Sequence, residues 1–335
     1  MKTRLWVIGI LFITILIGCG ERKSPLQPGG YYRLVGEIQT PGWAKDVCAL
    51  NDTAYVADNE GGIAVIDIRN VTNPVYIESW ATLAPVKIIK VAPLNRLILT
   101  YEDEAGSATL DKLRMYSVDF NVQVAEAFDT GLTGFKYVEG TETIWIYETD
   151  SNDGFAGDFY QKYDSTTWFR EDAINSAPPP MGICKELDLN GPTNGFVALD
   201  ERGVLAFEIV ADTLVWLGGI DTPGAAYDLV YQDGYLYVAD YFNGLAIINA
   251  TNPDSLVLVS QIRPSGSSRC EKVIVQGTVA ALLDTYDGIY VIDVSVPSSP
   301  SIIDFIALPE PTGLAFDGDR LLVTDEDQGL LIFQQ

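Results

Sequence analysis

The chain contains no histidine among its 335 residues. Without imidazole there is no ordinary general base near neutral pH, no proton shuttle of that kind and no His metal ligand. Ser-His-Asp hydrolases and the usual catalytic zinc sites are therefore disfavoured. Carboxylate, Tyr, Lys, Ser and Cys chemistry remains. Basic residues are scarce too: 21 Lys and Arg face 46 Asp and Glu, for a net charge of −25. Residues 1–18 hold Lys2 and Arg4, so the remainder is more acidic still. Such a chain repels nucleic acid, which binds through Lys and Arg that displace counterions, and nucleic acid is set aside as a partner. No Gly-rich phosphate loop or nucleophile elbow is present.

Apolar residues are plentiful. They make up 47% of the chain and aromatics 11%, ample for a packed core and too apolar for a disordered chain. The longest apolar run, Leu5 to Ile17, follows Lys2 and Arg4 and precedes Gly18 and Cys19. That order is a signal peptide's, and the run is short for a bilayer span of about 20 residues. Leu16-Ile17-Gly18-Cys19 resembles the bacterial lipobox, which implies acylation of Cys19 as the mature N-terminus; the alternative is an uncleaved N-terminal anchor. Gly20 to Gly30 is polar, rich in Gly and Pro and without periodicity, and reads as a flexible tether. The expected organisation is a signal peptide over 1–18, an acylated Cys and tether over 19–30, and one domain over 31–335. Gly20 stands where an aspartate would, by the enteric rule, retain a lipoprotein at the inner membrane, so the cell surface or outer membrane is favoured over other extracytoplasmic places. The anchor is the expected membrane contact.

Self-similarity dominates the remainder. AKDVCALNDTAYVADNEGGIAVID (44–67) recurs as AYDLVYQDGYLYVADYFNGLAIIN (226–249), CEKVIVQGTVAALLDTYDGIYVID (270–293) and GLAFDGDRLLVTDEDQGLLIF (313–333), with weaker copies near 86–118, 134–164 and 193–209. Each copy has two alternating runs, a Gly turn and a third run, and a fourth run such as PVYIESW (74–80) follows. Four short antiparallel strands per roughly 44 residues are the pattern of a propeller blade. An acid ends each second run: Asp58, Glu102, Glu148, Asp200, Asp240, Asp284 and Asp325. The expected fold is all-β, a seven-bladed propeller. Its last repeat lacks a fourth run, which Tyr31 to Thr40 supplies from the other end of the chain, closing the ring.

The segments Ile63-Ala64-Val65-Ile66-Asp67, Leu245-Ala246-Ile247-Ile248-Asn249 and Ile289-Tyr290-Val291-Ile292-Asp293 resemble the LVIVD repeat, a propeller-forming family of bacterial and archaeal extracellular proteins. The resemblance implies a fold and a location, and it carries over no catalytic residue.

In a propeller, the turns after second strands share a face with the blade-to-blade connections, around the channel mouth. Asp58, Asp200, Asp240, Asp284 and Asp325 belong there, either accepting backbone N–H bonds within their own turns or forming a cation or basic-ligand site. Lys45, Lys87, Lys136, Lys185 and Lys272 open first strands and point to an ionic collar, read either as interblade salt bridges or as a pocket for a polar, anionic or saccharide ligand. Trp43, Tyr227, Tyr241 and Tyr286 are the pocket aromatics. Long insertions are expected at Asp103 to Lys112, Thr149 to Gly157 and Asp172 to Met181. Within the second, Asp150, Asn152 and Asp153, with Asp158 just beyond it, loosely suggest a calcium loop, one residue off the D-x-D/N-x-D/N-G spacing. Calcium is the one cofactor the pattern admits; none is otherwise called for. Cys48, Cys184 and Cys270 fall on non-adjacent blades and are expected as buried free thiols.

Two functions fit. One is a non-enzymatic binding or interaction scaffold for an envelope or extracellular protein or glycan. The other is a carboxylate-based or calcium-dependent enzyme, lactonase-like or glycan-acting, working at an acidic mouth.

Overall fold

A computed structural model describes residues 30–335 apart from 93–95, 103–110, 120–121, 130–131, 139–142, 151–153, 163–167, 175–182, 192, 211–212 and 265–267. Residues 1–29, with the expected signal peptide, Cys19 and tether, lie outside the described residues. So do Asp153, Asn152 and most of the insertions at 103–112 and 172–181.

Strand-forming sequence is dense because Val, Ile, Leu and Tyr alternate with Ala or polar residues in runs of five to seven, cut by Gly and Asp turns. The strands group into seven four-stranded antiparallel sheets, and no helix interrupts them among the described residues. In chain order these blades span Asp46–Trp80, Val86–Asp129, Leu132–Ile174, Glu186–Ile220, Asp228–Ile262 and Cys270–Ala307. The seventh joins Pro311–Asp317, Arg320–Asp325 and Gly329–Gln334 to the N-terminal strand Arg33–Ile38. That strand pairs antiparallel with Gly329–Gln334, from Arg33 opposite Gln334 to Ile38 opposite Leu330. The first strands of successive blades are neighbours all the way round, and the seventh lies beside the first.

The core sits between blades. Tyr55, Ile63 and Trp80 of blade 1 pack with Val86, Ile89 and Ile98 of blade 2, and Val56, Ala64 and Ile66 pack on the other side against Leu322, Leu330 and Ile332 of blade 7. Alanine recurs at these faces (Ala54, Ala57, Ala64, Ala239, Ala246), all fully buried, because sheets stacked closely leave no room for more. Gly62, Gly203, Gly244 and Gly329 hold positive φ in the turn after the second strand, and a Cβ at any of them would lie 2.3–2.5 Å from the carbonyl oxygen that ends the fourth strand. For Gly329 that oxygen belongs to Ile38, so the N-terminal strand occupies the same place as the fourth strand of any other blade.

Two sequence expectations need correction. Residues 149–157 are mostly strand, since Thr143–Asp150 and Gly154–Lys162 form a hairpin in which Asp150 faces Gly154. Asp158 therefore sits opposite Ile146, four pairs and about 13 Å along the ladder from Asp150. Asp200 is also one residue past the position of Asp58: Leu199 donates its N–H to Gly203 as Asp58 does to Gly62, while Asp200 bridges to Ala226 as Asn59 bridges to Val86.

Candidate binding site at the channel mouth

First strands start at the mouth and run inward, so alternate residues line the channel. The cavity there holds about 460 Å³ and is walled by Asp46, Lys90, Lys136, Glu186, Asp228 and Lys272, with apolar Ile88, Val230, Ile274 and Ala315 between them.

Asp46 is 1% exposed and is the hub of this wall. It accepts a hydrogen bond from the Ile89 N–H of blade 2 at 3.2 Å, meets Lys272 of blade 6 at 3.2 Å, and lies 3.7 Å from Lys90 of blade 2. The blade between them contributes Gly313, where a Cβ would stand 2.6 Å from the Asp46 Cα, so the first strands of blades 7 and 1 approach too closely there for any side chain. Burial works to raise the carboxyl's pKa, but Lys272 and Lys90 outweigh it and hold Asp46 below the usual carboxylate value. Asp228 plays the same geometric part between blades 5 and 6, accepting the Val273 N–H at 2.8 Å. Among the described residues no lysine pairs with it at contact distance, and burial with the nearby Glu186 carboxylate pushes it up to about 7. Asp188 accepts the Tyr231 N–H at 2.7 Å and pairs with Lys136 at 2.9 Å, so it too ties one blade to the next.

Of the five first-strand lysines, Lys185 alone is paired, among the described residues, with an acid of the expected second-run series, Asp200. Lys45 meets Glu326 at 2.5 Å, Lys87 donates to Asn59 at 2.9 Å, and Lys185 lies 3.4 Å from Asp200. Lys136 and Lys272 sit deeper, on Asp188 and Asp46.

The second-strand acids lie beneath the mouth surface. Asp58, Asp240, Asp284 and Asp325 are all 0% exposed. Each accepts an N–H from the connection leading into its own blade: Gly42, Gly224, Arg269 and Glu310, at 2.7–3.1 Å. Asp284 and Asp325 also accept N–H groups of their own turns, from Tyr286 and Asp287 and from Asp327 and Gln328. Burial raises Asp240 to about 6. Blade 2 solves the same problem differently: Glu102, fully buried, pairs with fully buried Arg114 and accepts the Tyr116 hydroxyl.

At the mouth surface the character reverses. Trp43 (59% exposed), Leu83 (77%), Ile183 (53%), Phe242 (55%) and Tyr286 (60%) stand on connections and turns of that face. Tyr227 and Tyr241 stack at 4.4 Å, Phe242 meets Tyr241 edge-on, Lys185 lies 4.4 Å over Tyr227, and Arg269 covers Tyr286 at 4.5 Å. A separate hollow of about 370 Å³ lies beside Trp43, lined by Pro41, Gly42, Asn59, Glu60 and Gly61. Tyr241 holds a left-handed φ of +38°, at the position filled in blade 1 by Asn59, a residue that tolerates it.

The LVIVD repeat matches residues 41–82, 223–263 and 271–305. These three segments are LVIVD repeats. They cover blades 1, 5 and 6, and the remaining blades follow the same strand order on more divergent sequence. No curated protein matches the chain. Among solved structures, the computationally designed Ika8 protein superposes with a TM-score of 0.61 over 90% of this chain and 98% of its own, at 9% identity. That likeness speaks to fold alone.

Sequence reasoning located Trp43, Tyr227, Tyr241 and Tyr286 and the five lysines on this side of the ring. It missed Asp46, Asp188, Asp228, Glu186, Lys90 and the exposed Leu83, Ile183 and Phe242. Alternation along the first strands, D-x-C in blade 1 and E-x-D in blade 4, was the available signal for the channel acids. Cys48, Cys184 and Cys270 are free and buried, as expected, and burial pushes all three thiols up.

Proposed function

We propose that this chain is a membrane-tethered extracytoplasmic lipoprotein whose seven-bladed propeller is a non-enzymatic binding scaffold, and that it grips its partner with the mouth face. The observation that carries this reading is the placement of Trp43, Leu83, Ile183, Phe242 and Tyr286, each more than half exposed, on turns that surround one opening. Connecting turns are ordinarily polar, and clustered large apolar side chains on them are the composition of an interface centre. The channel below contributes charge that is engaged in holding blades together, which suits a rigid platform more than a reaction centre. The export signal and the family's extracellular character support placement at the cell surface or outer membrane, facing an envelope or extracellular protein or glycan.

The test is a pull-down from envelope extract with the tethered chain as bait, set against Trp43→Ala/Phe242→Ala. The reading expects a partner retained by the parent and lost by the double variant, whose melting temperature is unchanged. A calcium titration that raises the melting temperature, with hydrolytic activity appearing alongside, would move the assignment to a metal-dependent enzyme.

A further inference from the structure

Chain direction decides from which face the N-terminal segment departs. First and third strands run away from the mouth, and second and fourth strands run toward it. Arg33–Ile38 is a fourth strand, with Ile38 at the mouth-side turn of Gly329, so Tyr31 lies on the opposite face from Trp43.

That far edge is unusually apolar. Val75 and Ile77 of blade 1, Val215 of blade 4, Val257 of blade 5, Ile303 of blade 6 and Tyr31 of blade 7 are 36–54% exposed. They cluster at or near the beginnings of fourth strands in five consecutive blades, whereas the third-strand Val and Ile of blades 1, 5, 6 and 7 are buried; blade 4 departs from this with Val210, 50% exposed at the end of its third strand. Aliphatic side chains bounded by tyrosine suit the boundary of a bilayer, where the ring sits at headgroup level. We infer that this rim rests on the membrane surface, with the mouth turned away from it.

The inference depends on Cys19 being the acylated residue. Eleven residues separate Cys19 from Tyr31, a reach of at most about 40 Å at 3.3–3.6 Å each. A compact domain of this size is about 50 Å across, so a tether leaving the far rim holds that rim, and not the mouth, against lipid. The chain's charge of −25 opposes docking on anionic headgroups and also opposes rim-to-rim pairing of two copies, which leaves a neutral lipid surface as the occupant. A lipid chain combined with a second, interfacial contact is the usual route to stable attachment.

The test uses the full, lipidated chain in phosphatidylcholine vesicles. Buried Cys48, Cys184 and Cys270 do not compete for label, so Ile77→Cys, Ile303→Cys and Leu83→Cys each carry one fluorophore. Brominated phosphatidylcholine is expected to quench the two rim labels at least twofold and to leave the mouth label unchanged. Equal quenching at rim and mouth, or none at either in a chain whose mass shows acyl groups on Cys19, overturns the inference while leaving the tether intact. Absence of acyl mass on Cys19 overturns the tether and the inference together. Energy transfer between rim labels on different copies, without lipid quenching, identifies the rim as a self-association face and overturns it as well.

Discussion

The channel wall and the mouth face invert the usual distribution of chemistry in a soluble domain. Inside, Asp46, Asp188, Lys90, Lys136 and Lys272 form contacts that cross from blade to blade; outside, Trp43, Leu83 and Phe242 stand in water. Charge here sits where blades meet and is engaged across their seams, while large apolar surface sits on the turns that face water. A carboxylate can accept a neighbouring blade's N–H and a lysine at once, which an apolar side chain cannot, so it fixes the register between sheets that otherwise slide on smooth aliphatic faces.

The comparison breaks most completely if the ring is opened. Deleting residues 31–40 strips the partner from Gly329–Gln334 and uncovers the surface packed by Tyr32 and Ile38; circular dichroism is expected to show no cooperative melt, and size exclusion to show aggregates. A sharp melt would mean that closure is not needed.

Asp46→Ala comes next. It orphans the Ile89 N–H and leaves Lys272 and Lys90 facing one another, at a cost of about 3–5 kcal/mol and a melting temperature lower by on the order of 10 °C. A loss below about 1 kcal/mol would show that channel water screens these pairs as it does at an open surface.

Asp228 sharpens the picture through pH. Its folded pKa, raised to about 7, lies above the unfolded value near 4, so the folded state binds the proton more tightly. Its contribution is fully present at low pH and is lost as pH rises through 7. Asp46, held low, acts in the opposite sense and loses its contribution only as pH falls through its lowered value. Asp228→Asn is expected to flatten the decline in melting temperature between pH 4 and 8, raising it at pH 8 and leaving pH 4 unchanged. An unaltered pH profile would remove Asp228 as the titrating group.

The smallest effect on stability belongs to the mouth. Trp43→Ala and Phe242→Ala are expected to change stability by no more than about 0.5 kcal/mol, read by denaturant titration, because both side chains are already mostly in water. A larger loss would make them packing residues instead of recognition residues.

Much of the fold was legible because period-two alternation and Gly turns are local. The pairing of 31–40 with the C-terminal strands followed from a missing fourth run at one end and a spare one at the other. Legibility failed where the repeat slipped by one, as at Leu199 and Asp200, and where a hairpin replaced the loop expected at 149–157. It failed also at the channel, because whether Asp228 finds a lysine depends on residues some 90 to 140 positions away, which no spacing rule reaches.

The sequence by itself determined strand, turn and quartet, since each follows from side-chain shape and backbone preference within a few residues. Only the tertiary structure decided which carboxylates met lysines across the channel, which aromatics stayed in water, and that the N-terminal strand starts on the face opposite the mouth. Those outcomes depend on distances between blades, and distance across a ring is set by how many sheets close it and how tightly they pack.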